Sequence, residues 1–588
     1  RHGGGMTERS DSEIATSDDG PDGGHSRGGG SRGGVRLLAL GGFGEIGQNC
    51  TLLERDDERF VAAEASGGGQ NRVRRVMIDC GVRFGVPDGG VEFTHPRFDY
   101  VLSEPESLGS VVLTHGHEDH VGALGYLLQA LIEAGRKSPL RIWGSPYALA
   151  MAQARLIEAQ IAADRYRLAV LEPNKSQVVA GWTITPIPVA HSIAQAYALC
   201  FDTSAGRILH TGDFKLAHGD QDADVFAKLG PVRLLLSDST GVLRAGFSNK
   251  EQDVAAALDA RIAKAEGRVF ISVFASNTHR LRALGEAAQR HGRKVCLLGL
   301  SVNRHADAGR TLGELTWPDG LRVSHEMARE LPDGEVLYIA SGTQGEPRGS
   351  MRRLASGTHS ATRLKDGDTV LMSSRIIPGN EREVFRMLDD LLGQGVELVT
   401  RIDAPEIHAT GHACRAELEA VIARVAPTSF IPLHGTRMHL KAHASLARAA
   451  GIADLLILEN GGVAELSAAA PLKRGEDVVA GSVSRAGRQL IDADTIRERV
   501  RSSRYGLVVV FVDRSTPWVH ATTSGVPGGA DTERTATAAG RRALDTEAKS
   551  SDEQAREMIR RAVRRAVEEV TGYRPPVRVI LSSDTPQS

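Results

Sequence analysis

Residues 113–122 read LTHGHEDHVG. His115, His117 and His120 stand among Glu118 and Asp119, directly after the apolar run Val111-Val112-Leu113. Imidazole nitrogens and carboxylate oxygens are the usual ligands of zinc. On an extended chain alternate residues face one way, so His115 and His117 can address one point. Asp119 and His120 then turn toward a second point as a helix begins. One stretch can thus serve two neighbouring metals, with Glu118 pointing away between the pairs. More ligands must come from elsewhere. His191 follows TPIPVA, Asp213 sits in LHTGDFK and His434 in IPLHGT, each at the end of a predicted strand. Asp213 suits a bridging role, because a carboxylate offers two oxygens.

These side chains need a scaffold. At 588 residues, with 41% hydrophobic and 24% charged residues, the chain reads as a globular protein of several domains. No apolar run reaches the 18 residues of a membrane span. No apolar signal core is present at the N-terminus, which points away from secretion. Five scattered cysteines without a CxxC pair disfavour a disulfide scaffold or an all-cysteine zinc site, and the cytoplasm is the expected compartment. A net charge of −2 leaves any nucleic-acid partner to a local basic surface. Residues 1–34 read as a disordered leader. Short β segments dominate 35–245, among them 35–40, 49–55, 75–81 and 111–115, with a polar Gly-rich insert at 64–73 and a helix over 120–134. Helix and strand alternate over 246–398, the pattern of a parallel α/β unit. The β texture returns over 399–466. A linker (467–478) and a small α+β domain (479–588) complete the chain. In that last domain the charged segment 551–570 reads as a helix and the Gly/Thr-rich stretch 523–549 as a mobile loop.

GGFGEIG (41–47) contains the GxGxxG of dinucleotide-binding folds, but a strand pattern follows it where that motif needs a helix. A tight hairpin, where glycine supplies positive φ, is the better reading.

Asp79, HGHEDH, His191 and Asp213 resemble the metal motifs of the metallo-β-lactamase fold. With Asp238 in LLSDST, His412 in HATGH and His434 in PLHG, the set resembles that of the β-CASP nucleases. The strings LGGFGEIGQN, VLTHGHEDHVGAL, ILHTGDFK, FASNTHR, SGTQGEP, SSRIIPGNE and HATGHACRAEL are similar to those of the bacterial ribonuclease J family. The fold this implies is α/β: a metallo-β-lactamase αββα sandwich, an inserted β-CASP domain at 246–398, and an oligomerising C-terminal domain that makes a homodimer or homotetramer. The resemblance implies two zinc ions per subunit. His115, His117 and His191 would hold one, Asp119, His120 and His434 the other, with Asp213 between them. Asp79 would orient ligands, Asp238 would steer His412, and His412 would be the general acid. Asn277, Thr278 and His279 in FASNTHR, Ser374 in SSRIIPGNE, and His408, Ala409, Thr410, Gly411 and His412 would touch substrate, with His279 and His408 able to carry charge.

The implied activity is 5′-to-3′ exonucleolytic hydrolysis of single-stranded RNA bearing a 5′-monophosphate, with some internal cleavage. Hydroxide would attack phosphorus and leave a 5′-phosphate, in the service of RNA maturation and decay, with RNA-decay or ribosome-associated partners. Three other readings are a DNA nuclease, a lactone or thioester hydrolase of the same fold, and an inactive RNA scaffold. The inserted domain and the His412/His434 pair argue against the small-substrate hydrolase. A full ligand set argues against the scaffold.

Overall fold

The computed structural model describes residues 34–55, 75–84, 90–377, 380–487, 489–546 and 551–584. Residues 1–33 of the expected leader and the Gly-rich insert at 64–73 lie outside the described residues.

Side-chain alternation along Val35–Gly41 shows how the first domain is layered. Leu37 and Ala39 enter one core, Leu38 and Leu40 another, because successive residues of a strand face opposite sides. This strand lies inside an eight-stranded sheet: Lys473–Arg474, Val463–Leu466, Val35–Gly41, Cys50–Arg55, Arg75–Ile78, Leu108–Val112, Leu140–Gly144 and Tyr166–Val170. A seven-stranded sheet faces it, ordered Gln177–Val179, Trp182–Val189, Ala196–Thr203, Gly206–His210, Leu234–Asp238, Ser429–Leu433 and Asp454–Leu455. Between the sheets Leu37, Val76 and Val112 pack with Trp182, Phe201 and Leu236. Helices Leu124–Glu133 and Pro146–Glu158 cover the outer face of the first sheet. Helices Arg415–Val425 and Arg437–Ala449 cover that of the second. This is the αββα sandwich. Truncating one of the fully buried leucines to alanine costs about 2–5 kcal/mol.

The chain leaves the second sheet after Leu234–Asp238 and returns beside it at Ser429–Leu433, parallel, with Asp238 opposite Leu433. The excursion contains a five-stranded, all-parallel sheet ordered Lys294–Leu298, Val336–Ala340, Val269–Ser272, Thr369–Met372 and Glu397–Val399. Near the C-terminus, Ser482–Ala486 pairs with Phe93–Pro96 of the sandwich. A three-stranded sheet follows, Trp518–Ser524, Leu507–Asp513 and Val577–Leu581.

Three local expectations are corrected. The strand expected over 111–115 stops at Val112, because the Thr114 N–H donates to the Asp79 carboxylate instead of the ladder. The single helix expected over 120–134 is two, Glu118–Val121 and Leu124–Glu133. Between them the Ala123 N–H turns to the Cys80 carbonyl. The stretch read as a mobile loop holds an 18-residue helix, Gly529–Thr546. Its Ala536, Ala539 and Leu544 share a core with Ile559, Val563 and Val567 of helix Asp552–Thr571. Gly540 lets this helix lie close on strand Trp518–Ser524, since a Cβ there would meet Val519 at 3.0 Å.

The Gly-rich turn after Val35–Gly41 also positions the site. The strand pairs antiparallel with Cys50–Arg55, and Gly42, at φ +84, presents its carbonyl to the His434 N–H at 2.8 Å.

Candidate metal centre and its cleft

Every candidate ligand follows the carboxyl end of a strand. His115, His117, Asp119 and His120 follow Leu108–Val112, His191 follows Trp182–Val189, Asp213 follows Gly206–His210, and His434 follows Ser429–Leu433. The sheets therefore deliver residues 319 positions apart in the chain, His115 and His434, to one place.

His115 Nε2 and His191 Nε2 lie 3.0 and 3.1 Å from His117 Nδ1. The outward nitrogens show which inner ones carry lone pairs. His191 Nδ1 donates to the Gly411 carbonyl at 2.6 Å. Thr114 Oγ1 donates to Asp79 Oδ2 at 2.7 Å and lies 3.0 Å from His115 Nδ1, from which it can accept. Three imidazole lone pairs thus converge on one point, an arrangement that suits a divalent cation. Burial pushes the His115 and His117 rings well below the ordinary histidine pKa and His191 to about 4.

Asp119, His120, Asp213 and His434 form an adjoining group, their ligand atoms within 4.8 Å of one another. His120 Nδ1 donates to Asp79 Oδ2 at 2.7 Å, which turns Nε2 toward Asp213 Oδ2 at 3.2 Å. His434 Nε2 is buried without a hydrogen-bond partner and lies 3.4 Å from Asp119 Oδ2. An orphaned buried nitrogen beside a carboxylate fits a metal position. Burial lowers the affinity of His120 and His434 for protons, but the surrounding carboxylates, Asp213 foremost, outweigh it and raise both, His434 to about 10. So many buried acids require compensating positive charge.

Asp213 faces both groups. Its Oδ2 is 3.9 Å from His115 Nε2, 3.8 Å from His191 Nε2 and 3.2 Å from His120 Nε2, while Oδ1 is 2.9 Å from His434 Nδ1. Asp238 is buried beneath them and lies 2.7 Å from His412 Nδ1. Glu118 turns away to Arg155 at 2.6 Å.

A cleft of about 380 Å³ opens over this centre, walled by the sandwich and by the inserted domain. Asn277, His408, Ala409, Thr410, Gly411 and His412 line it. Thr278, His279 and Ser374 are not brought to the lining. Thr278 and Ser374 are buried, and His279 is exposed in the first turn of helix Thr278–Arg290. The expectation that His408 can carry charge is corrected: burial, helped by the Arg280 guanidinium 3.4 Å away, drops it to about 3.

Residues 266–391 match the family described as Ribonuclease J, beta-CASP domain. Residues 74–265 match the Beta-lactamase superfamily domain, and 404–455 the Zn-dependent metallo-hydrolase RNA specificity domain. Ribonuclease J of Thermus thermophilus is 35% identical over 464 residues, covering 76% of this chain and 77% of that protein. Ribonuclease J of Synechocystis is 34% identical over 494 residues, 81% and 72%. That of Mycolicibacterium smegmatis is 32% identical over 506 residues, 82% and 84%.

This chain belongs to the ribonuclease J family.

In this ribonuclease J family member the centre is also touched by residues that the sequence reading passed over. Asn49 Nδ2 lies 3.0 Å from His120 Nε2 and 3.2 Å from the Asp119 carbonyl. Thr114 joins Asp79 to His115. Ser276 Oγ, on the inserted domain, lies 2.9 Å from His117 Nε2. Arg375 and Thr240 line the cleft. Ser276 and Arg375 sit inside the quoted strings FASNTHR and SSRIIPGNE, so their neighbourhood was visible in the sequence and their contacts were not. The two domains also meet where the Tyr147 hydroxyl lies 2.9 Å from His305 Nδ1 and Gln195 donates to Glu314 at 2.9 Å. Among the described residues no helix is long and apolar enough to cross a membrane.

Proposed function

We propose that this chain hydrolyses single-stranded RNA with two zinc ions, working from a 5′-monophosphorylated end with some internal cleavage. The convergence of two donor groups on the shared carboxylate of Asp213, under a cleft walled by the inserted domain, carries this reading. His115, His117 and His191 would hold one ion, Asp119, His120 and His434 the second, and Asp213 would join both. Bound there, the ions supply positive charge opposite the phosphate and lower the pKa of water.

The protein's own groups do the rest. Asp79 accepts from His120 Nδ1 and Thr114 and so fixes which nitrogens face inward. His412 gives Nδ1 to Asp238, which leaves Nε2 as the nitrogen that hands a proton to the departing 3′ oxygen. His408, held neutral, serves as a hydrogen-bonding group in the wall. Asn277 Oδ1 caps helix Thr278–Arg290 by accepting from the Arg280 N–H at 3.0 Å, and so sets the wall segment where phosphates would pass. Contacts to phosphate rather than base edges give little sequence preference. The C-terminal domain is proposed to assemble the chain into a homodimer or homotetramer in the cytoplasm.

The test compares 5′-monophosphorylated RNA, 5′-triphosphorylated RNA and DNA of one sequence, with and without chelator. Chelator-sensitive release of mononucleotides from monophosphorylated RNA is expected. Equal activity on DNA, or full activity in His117→Ala, overturns the reading.

A further inference from the structure

Each histidine of the three-histidine group has one nitrogen facing inward and one facing out. For His115 the outer partner is Thr114, on the same strand end, and the ring is fully buried. For His191 it is the Gly411 carbonyl, and the ring is 2% exposed. Both rings are buried, and neither partner belongs to the inserted domain. His117 differs. It is only partly buried, it sits where helix Glu118–Val121 begins, and it uses Nδ1 inward. Its outer nitrogen, Nε2, meets Ser276 Oγ at 2.9 Å, a residue 159 positions away on the inserted domain.

Ser276 is held firmly where it stands. The Asn277 N–H donates to the Phe274 carbonyl and the Thr278 N–H to the Ser276 carbonyl, and Asn277 caps the helix that follows. The turn between Val269–Ser272 and Thr278–Arg290 thus fixes the Ser276 backbone, and its hydroxyl meets His117 from there.

We propose that Ser276 is a positioning residue that reaches from the inserted domain to hold the His117 ring, so that metal loading and seating of that domain favour one another. The inference rests on the reading of His115, His117 and His191 as a metal site. Accepting the Nε2 proton leaves the Nδ1 lone pair toward the ion and stops the half-buried ring from rotating. Groups that support a metal-bound imidazole in this way typically contribute about 10–100-fold in metal affinity. The coupling is reciprocal: whatever closure adds to metal affinity, bound metal adds to closure.

Three proteins decide it: the wild type, Ser276→Ala and Ser276→Thr. Each is stripped by chelator and titrated with zinc against a chromophoric competitor, and separately with cobalt, whose visible absorption reports ligand geometry. Ser276→Ala should bind zinc roughly 10–100-fold more weakly and show an altered cobalt spectrum, while Ser276→Thr, which keeps the hydroxyl, should restore both. Hydrogen exchange over 274–280 should slow on metal addition in the wild type and much less in Ser276→Ala. Wild-type zinc affinity and spectrum in Ser276→Ala overturn the proposal, as does metal-independent exchange in the wild type. His115→Ala separates the two levels: if it binds as much zinc as wild type, the metal site itself is misread, whatever Ser276 does.

Discussion

His412 Nδ1 and Asp238 Oδ2 are 2.7 Å apart, and Asp238 is buried while His412 lines the cleft. Asp238 also accepts from the Thr240 N–H at 2.9 Å, so the carboxylate cannot swing to follow the ring. The imidazole is therefore aimed from below. His412→Ala should lower kcat by about 10²–10⁴-fold while metal content, measured by elemental analysis, stays at the wild-type level. Loss of metal in that variant would make His412 a ligand instead of a proton donor.

Asp79 serves two donors with one oxygen. Oδ2 takes both the Thr114 hydroxyl and His120 Nδ1 at 2.7 Å, and Oδ1 takes the Thr114 N–H. In Asp79→Asn an amide nitrogen must replace one acceptor. Zinc affinity in a competition titration should drop about 10–100-fold, with the fold retained by circular dichroism. Unchanged affinity would show that packing alone orients His120.

Gly81 leaves no room for a side chain. A Cβ there would lie 1.6 Å from the Asp119 carbonyl oxygen and 2.6 Å from the His120 backbone nitrogen. Gly81→Ala must push the ligand segment outward, at a cost on the order of 1–3 kcal/mol or more. A lowered melting temperature together with weakened metal binding is expected. A variant as stable and as tightly loaded as wild type would contradict the packing described here.

His305 gives the interdomain contact with Tyr147 a pH dependence. Burial, then Arg304 and Arg155, hold His305 at about 4, against an ordinary value near 6.5. Between those values the unfolded chain takes up a proton that the folded one refuses. The stability this neutral ring contributes is thus complete above pH 6.5 and falls as pH drops toward 4, by about 2 kcal/mol at pH 5. His305→Gln cannot titrate, so its melting temperature should fall less than that of wild type between pH 7.5 and 5. Parallel falls would exclude the effect.

The clustering of the candidate ligands was legible because each follows a strand inside its own short string, and the metal preference of imidazole and carboxylate does not depend on the fold. The strand over 35–40 was legible in its apolar run, while the split of its side chains between two cores was seen only in the fold. Contacts that join distant strings were not legible. Nothing local to FASNTHR says that Ser276 meets His117, because that distance is set by the seating of one domain on another. His408 looked chargeable as a residue type, and only its enclosure beside Arg280 makes it neutral. Helix Gly529–Thr546 was hidden by its glycines and threonines, whose weak propensity is overridden by packing against helix Asp552–Thr571.

The order in which the chain is made gives the parallel pairing of Leu234–Asp238 with Ser429–Leu433 a further meaning. Everything between these neighbours, including the whole five-stranded sheet, must be synthesised before the second of them exists. Until then Leu234–Asp238 has a strand partner on one side only, and His434 has yet to be translated. A growing chain therefore cannot assemble the candidate centre before Ser429–Leu433 and His434 have been made.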